Sequence, residues 1–184
     1  FVSRGLGDVY KRQGLGKDHL SEMMIKRFKY ENLKIDLIQR IKGKYPGLYS
    51  IQTDKKGNRS FSYWRNESAA KEMMKKCNLD NLEKFISNTE LFYYTGISLG
   101  ILKPKDQNKL IELSKKSKLT AFDFNYRNSF HGNKIKSQSL FKKSNLFSKI
   151  NFISFDDIVE IFGKSDPFQF INTFKRKDNI IILK

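Results

Sequence analysis

The chain has 184 residues and a formal net charge of +17, and 39% of its residues are hydrophobic and 14% aromatic. This composition excludes an intrinsically disordered chain, because it supplies enough apolar side chains to bury a core. The longest mostly apolar run, from Leu91 to Leu102, is too short to span a membrane.

The opening segment, residues 1–13, differs in character from the rest of the sequence. Residues 8–13 can be encoded by GATGTGTATAAGAGACAG, which resembles a transposon end used in preparing sequencing libraries. We therefore interpret residues 1–13 as a translated adapter, expect them to be disordered or irregular, and leave them out of fold reasoning. Residues 14–184 are then expected to form part of a domain that begins further upstream.

The first predicted elements are a helix, a short strand and a hairpin. Asp18 is a suitable N-cap for a helix that runs to about Tyr30, and a short strand is predicted over residues 37–41. Two β-rich runs lie on either side of the turn-type cluster at residues 54–58, which contains a glycine. We therefore predict a β-hairpin over about residues 47–65.

The second half of the sequence predicts strands that alternate with helices. The predicted helices cover about residues 67–76, 82–87, 104–116, 135–148, 156–162 and 167–174, and the predicted strands cover about residues 91–95, 119–124, 151–154 and 179–183. Such alternation is typical of a parallel α/β sheet with right-handed crossovers. The hairpin falls outside this rhythm, so we expect it to stand apart from the main sheet.

Two predicted strand ends carry residues that could bind a ligand. Ligands bind outside the carboxyl ends of the strands in open α/β sheets, and here those ends carry Thr95–Ser98 and Asp123–Arg127. The planar fork of Arg127 suits a phosphate or a carboxylate. The alternative is a surface arginine that pairs with a neighbouring helix.

The hairpin offers a second candidate binding surface. Strand alternation places Phe61, Tyr63 and Arg65 on one face and Trp64 on the other, where it is expected to pack behind them. If Tyr49 on the partner strand faces the same way as Tyr63, two phenols and a guanidinium converge and can hold a small hydroxylated anion. The alternative is ordinary cross-strand aromatic packing.

The high positive charge raises the alternative of a single-stranded nucleic-acid-binding module that stacks bases on Tyr63, Trp64 and Arg65. The lysines, however, occur in ones and twos, as on a soluble surface. Alternation also separates Tyr63 from Trp64. We therefore expect small-molecule partners, and neither nucleic acid nor a membrane.

Histidine and cysteine give little sign of further chemistry. His19 and His131 have no ligand-spaced partners, so no metal site is predicted. The lone cysteine, Cys77, excludes an intrachain disulfide and is typical of a reducing compartment, so we predict a cytoplasmic protein.

Three stretches in a fixed order carry a family resemblance: PGLYSIQTDKKGNRSFSYWRNESAA, YYTGISLGIL and FDFNYR. Together they resemble the sugar-acid branch of the ribokinase-like (PfkB) carbohydrate kinases, and the likeness extends over residues 14–184. It implies a doubly wound, mainly parallel α/β sheet with a small β-hairpin lid. It also implies ATP-dependent phosphorylation of 2-keto-3-deoxygluconate with Mg²⁺, in a homo-oligomer. A kinase of this family for another sugar remains an alternative.

The resemblance also implies two sets of binding residues. They are Tyr49, Tyr63, Arg65 and Arg127 for the sugar acid, and Asn125, Tyr126 and Arg127 for the nucleotide side. Arg127 would lie between the substrate and the transferred phosphate.

This sequence departs from the family pattern in three segments. A sugar-binding Gly-Gly-Asp segment would precede Gly14, and a Gly-Ala-Gly-Asp segment with the anion hole and the aspartate base would follow Lys184. The family's Asn-x-x-Glu element, linked to magnesium and phosphate, appears here as Ser154–Asp157, with Asp157 in place of the glutamate. The resemblance thus implies a chain that is truncated at both ends, lacks the catalytic base and is inactive by itself.

Overall fold

A computed structural model describes residues 8–75, 78–128, 133–163 and 166–184. The described residues up to 75 form one compact unit, and those from 78 onward form another. Residues 1–7, Cys77 and His131 lie outside the described parts of the chain, so the sequence predictions that concern them stay predictions.

The first unit contains short paired strands, one α-helix and one 3₁₀ helix. Its elements are β1 (Val9–Tyr10), β2 (Gln13–Leu15), α1 (His19–Tyr30), β3 (Leu33–Lys34), β4 (Ile38–Arg40), β5 (Leu48–Thr53), β6 (Arg59–Trp64) and the 3₁₀ helix Ala69–Glu72. Strand β1 pairs in parallel with β3, β2 pairs in parallel with β4, and β5 pairs antiparallel with β6. The predicted hairpin is therefore confirmed, and it forms a sheet of its own.

Helix α1 begins where the sequence predicts it. The Asp18 carboxylate accepts hydrogen bonds from the backbone N–H and the hydroxyl of Ser21, at 3.1 Å and 2.6 Å. These bonds satisfy one of the free amides of the first turn. They also lower the pKa of Asp18, for which the Ser21 hydroxyl is the largest cause.

Two expectations for the first unit are wrong. Strand pairs include residues 9, 10 and 13, so the segment expected to be irregular has regular structure there. The guanidinium of Arg12 helps to hold this segment, because it donates to the carbonyl oxygen of Leu37 at 3.0 Å and to that of Met73. Where the sequence predicts a helix at residues 67–76, the structure has only the short 3₁₀ helix Ala69–Glu72, whose first amide donates to the Tyr45 carbonyl oxygen.

The second unit alternates strands and helices. Its elements are α2 (Leu79–Ser87), β7 (Leu91–Thr95), α3 (Gly96–Gly100), α4 (Pro104–Ser114), β8 (Leu119–Asp123), α5 (Lys134–Phe147), β9 (Ile150–Ile153), α6 (Phe155–Phe162), α7 (Pro167–Phe174) and β10 (Ile180–Leu183). The described strands form a parallel sheet in the order β10-β9-β8-β7. The predicted parallel α/β arrangement is confirmed. None of the helices in the described ranges is long and apolar enough to cross a bilayer.

The core of the second unit is aromatic. The Phe141 ring of α5 lies 5.5 Å from that of Phe122 and 5.3 Å from that of Phe124, and all three side chains are fully buried. Gly96, the first residue of α3, comes so close that an added Cβ would lie 2.0 Å from the Phe124 carbonyl oxygen and 2.6 Å from the Phe141 ring. Only glycine fits this contact between α3, the end of β8 and α5.

An ion pair and a hydrogen bond link β8 to the strands β10 and β7. The buried Asp123 carboxylate at the end of β8 accepts hydrogen bonds from Lys184 Nζ at 2.7 Å and 2.9 Å, just past β10. It also accepts a bond from the Tyr93 hydroxyl of β7 at 3.2 Å. Burial and the charge of Asp123 together raise the pKa of Tyr93 to about 12. Asp123 thus joins both edges of the sheet.

The close contact at Gly96 generates a stability prediction. Gly96→Ala should lower the free energy of unfolding of the second unit by about 3 kcal/mol, at the upper end of the usual cost of overpacking, because a backbone oxygen cannot move aside. Gly163→Ala is the control, since a Cβ there meets open space and only the left-handed backbone opposes it, at a cost of about 1 kcal/mol. Denaturant titration of both variants measures the difference. Equal losses would show that the close contact at Gly96 relaxes without cost.

The Tyr93 phenol generates a pH prediction. Its pKa is raised in the folded chain, while an unfolded tyrosine titrates near about 10. Between these values the folded chain binds more protons than the unfolded chain, so the stabilisation is complete below about pH 10 and is lost as the pH rises toward 12. We expect the free energy of unfolding to fall less steeply over this range in Tyr93→Phe than in the wild type. The same slope in both would contradict a raised pKa of Tyr93 in the folded chain.

Candidate functional site

One face of the hairpin gathers three of the four residues predicted to bind a sugar acid. Tyr49 lies directly opposite Tyr63 across the strands, and their ring centroids are 6.2 Å apart. The Phe61 ring stacks against Tyr63 at 6.0 Å. The guanidinium carbon of Arg65 lies 3.8 Å from the centroid of the Tyr63 ring. Two phenols and a guanidinium therefore lie together, on a base of apolar rings.

Trp64 lies on the opposite face of the hairpin from Tyr49, Tyr63 and Arg65. Trp64 pairs with Leu48 and is exposed over 61% of its surface. The sequence-based expectation that Trp64 packs behind the binding face is therefore wrong, because the other side of this short hairpin is exposed as well. The alternation of faces itself is as predicted, and it leaves no continuous aromatic platform along Tyr63 and Trp64.

The tip of the hairpin fixes the register on which this face depends. Asp54 Oδ1 accepts from the backbone N–H groups of Lys56 and Asn58 at 2.8 Å and 2.9 Å, and Oδ2 accepts from Asn58 Nδ2 at 2.9 Å. The bonds from Asn58 are the largest cause of the lowered pKa of Asp54. Since a slip of one residue would send every side chain to the other face, Asp54 secures the pairing of the two tyrosines.

The base of the hairpin fixes the position of Arg65. A Cβ on Gly47 would lie 2.9 Å from the Cβ of Arg65, so the absence of a side chain at position 47 lets the two strands approach. The backbone N–H of Ala69 donates to the Tyr45 carbonyl oxygen at 2.8 Å and closes the loop just outside the strands. The sequence did not predict the close contact at Gly47 or the bond from Ala69 to Tyr45, although the Pro-Gly pair before β5 is a turn signal.

The second set of predicted residues forms the loop that follows β8. Asn125 has a positive φ of 34°, which turns the chain sharply after the strand. Tyr126 is buried, with its ring 6.1 Å from that of Phe141, whereas Arg127 is exposed and donates from Nη1 to the Tyr126 carbonyl oxygen at 2.6 Å. The Tyr126 ring packs in the core and is not available to a ligand in this conformation. The roles of the three residues in ligand binding stay predictions.

Asp157 contributes to this loop in a way that the sequence reasoning did not find. Its Oδ1 accepts a hydrogen bond from the backbone N–H of Tyr126 at 2.7 Å. It also forms a capping box with Ser154 at the start of α6. The Ser-x-x-Asp pattern before an apolar run predicts the capping box, but nothing in the sequence indicates the bond to a loop 31 residues away.

The predicted substrate residues therefore fall in two places. The structure brings Tyr49, Tyr63 and Arg65 together in the first unit, and Arg127 stands in the second unit beside Asn125 and Tyr126. Within the described ranges, no group of three or more histidine, cysteine, aspartate or glutamate side chains could hold a metal ion.

The chain is similar in sequence to curated proteins named 2-dehydro-3-deoxygluconokinase. A 2-dehydro-3-deoxygluconokinase of Escherichia coli (strain K12) is 34% identical over 160 residues, which cover 85% of this chain and 52% of that protein. The chain thus spans about half the length of the curated relatives it matches.

Two crystal structures show the same fold at low sequence identity. The 2-dehydro-3-deoxygluconokinase from Thermotoga maritima superposes with a TM-score of 0.77 at 18% identity, covering 96% of this chain and 57% of that one. The fructokinase with bound ATP from Xylella fastidiosa gives 0.76 at 16% identity, covering 95% and 56%. The doubly wound, ribokinase-like α/β fold expected from the sequence is therefore confirmed.

The family itself follows from the sequence match. The model of the family described as pfkB family carbohydrate kinase matches residues 7–179, which is nearly the whole chain. The chain belongs to the pfkB family of carbohydrate kinases.

Proposed function

We propose that this chain is part of a kinase that transfers the γ-phosphoryl group of ATP to a hydroxyl of 2-keto-3-deoxygluconate. The observation that carries the proposal is the convergence of Tyr49, Tyr63 and Arg65 on one face of the hairpin. Membership in a family of carbohydrate kinases and similarity to relatives named for this activity support it.

The hairpin face suits a small sugar acid. The aromatic rings offer an apolar surface to the carbon chain, and the phenol groups of Tyr49 and Tyr63 can exchange hydrogen bonds with its hydroxyls. The guanidinium of Arg65 can bind the carboxylate through two parallel charge-assisted bonds. The Tyr63 ring beneath it contributes a cation–π contact that holds the guanidinium in place. A neutral sugar has no group that would need this arginine.

The loop after β8 suits the phosphate side of the reaction. It lies at the carboxyl end of a parallel strand, where ligands bind in open α/β sheets. In this proposal ATP supplies the transferred phosphoryl group, the exposed Arg127 offsets its negative charge, and Asn125 offers a polar contact. The buried Tyr126 then acts through its backbone and its packing.

The residues of this chain do not provide an evident magnesium ligand at the position that the family resemblance suggests. Mg²⁺ usually enters kinase sites bound to substrate phosphates and one or two carboxylates. The carboxylate at the position where the family resemblance suggests a magnesium-linked glutamate, that of Asp157, is buried and already accepts backbone N–H groups. It does not fit a metal ligand, and we assign no step of the reaction to a metal held by this chain.

The proposal predicts the effect of removing the guanidinium. In the complete kinase that carries this chain, Arg65→Ala should weaken binding of 2-keto-3-deoxygluconate by about 1.5–3 kcal/mol, or roughly 10- to 150-fold, which is the scale of a charge-assisted hydrogen bond. The affinity for ATP should change little. Calorimetric titration with each ligand measures both.

Arg59→Ala is the matched control, because it removes the same charge from the same face at the other end of β6. It should leave sugar-acid binding within about twofold. Equal activity of Arg65→Ala and the wild type would favour a kinase for another sugar. Tight binding of single-stranded DNA that falls steeply with salt would instead favour the nucleic-acid alternative.

A further inference from the structure

Each oxygen of the Asp157 carboxylate accepts a hydrogen bond from a backbone N–H group. The residue is only 4% exposed although it carries a charge, and such a group needs hydrogen-bond partners to remain buried. Oδ1 accepts from the Tyr126 N–H at 2.7 Å, and Oδ2 accepts from the Ser154 N–H at 3.3 Å. One oxygen thus caps the helix to which Asp157 belongs, while the other reaches a different element, the loop after β8.

The loop is held on each side of the bond to Asp157. Before it, the Phe124 N–H donates to the Phe152 carbonyl oxygen at 2.9 Å and extends the sheet. Asn125 then turns the chain with its positive φ, a conformation that needs support from its surroundings. After the turn, the Tyr126 ring packs against Phe141. Between these contacts, the buried backbone N–H of Tyr126 donates to the Asp157 carboxylate at 2.7 Å.

Arg127 is the first exposed residue after these contacts. The starting point of its side chain is therefore set by the backbone of Tyr126, which Asp157 holds through a charge-assisted bond in a buried environment, where such bonds are strong. Without the carboxylate the turn loses this bond to α6, while α6 keeps the Ser154 hydroxyl as its N-cap. A small shift of a positioned charge is costly in catalysis.

We propose that Asp157 is a positioning residue for Arg127: by fixing the backbone N–H of Tyr126, it sets the place from which Arg127 reaches the transferred phosphoryl group. This assignment rests on the proposed kinase function for its consequence, but its structural part concerns this chain alone. It gives Asp157 a role different from a magnesium or phosphate ligand, since both of its oxygens face backbone N–H groups.

Amide hydrogen exchange in the purified chain tests the structural part. In Asp157→Ala the Tyr126 amide should exchange about tenfold faster or more, because its charged acceptor is lost. Asp157→Asn keeps one acceptor oxygen and should restore much of the protection. Ser154→Ala removes only the hydroxyl cap of α6 and should leave the Tyr126 amide protected. Unchanged exchange of this amide in Asp157→Ala and Asp157→Asn would overturn the proposal.

Steady-state kinetics of the complete kinase test the consequence. Asp157→Ala should lower kcat by about 10- to 100-fold with little change in the KM for 2-keto-3-deoxygluconate, because the hairpin residues that bind the sugar acid are untouched. Asp157→Asn should recover most of the loss. An equal loss in Ser154→Ala would show that capping of α6 alone matters and would overturn the proposal. If the complete wild-type protein does not phosphorylate this sugar acid, the proposed function fails, while the exchange result still decides what Asp157 does.

Discussion

The packing of the Phe141 ring against Phe122 and Phe124 is the contact on which the second unit depends. It joins α5 to the end of β8, and it is possible only because Gly96 leaves room for the Phe124 carbonyl oxygen. The loop that carries the exposed Arg127 begins directly after the buried Phe124. The location of a charged residue at the surface is therefore decided by aromatic contacts and by one missing methyl group beneath it.

Much of the fold could be predicted because it depends on short-range patterns. The cap at Asp18, the turn cluster at residues 54–58 and the alternation of apolar runs with helical periodicity each act within a few residues. The hairpin face followed from strand alternation once the register was known. Parallel pairing in the second half followed from the alternation of elements, since parallel strands need crossovers between them.

The parts that escaped prediction depend on contacts between distant residues. The bond from Tyr126 to Asp157 and that from Ala69 to Tyr45 leave no trace in local composition. The pairing of β1 with β3 was missed because residues 1–13 were left out of the fold reasoning, although Val9 and Tyr10 are good strand formers. The exposure of Trp64 was missed because a large aromatic side chain was assumed to be buried. The roles of the site residues depended on the family resemblance more than on any pattern.

The hairpin exposes apolar surface on the face that gathers the tyrosines. Tyr49, Ile51, Phe61 and Tyr63 are each about half exposed, between 47% and 56%. Removing such a surface from water lowers the heat capacity of the system. A sugar acid is mostly polar, so its own transfer contributes little to that quantity. A markedly negative heat-capacity change on ligand binding would therefore report how much of the hairpin becomes covered, and would distinguish a closing hairpin from one that stays open over its ligand.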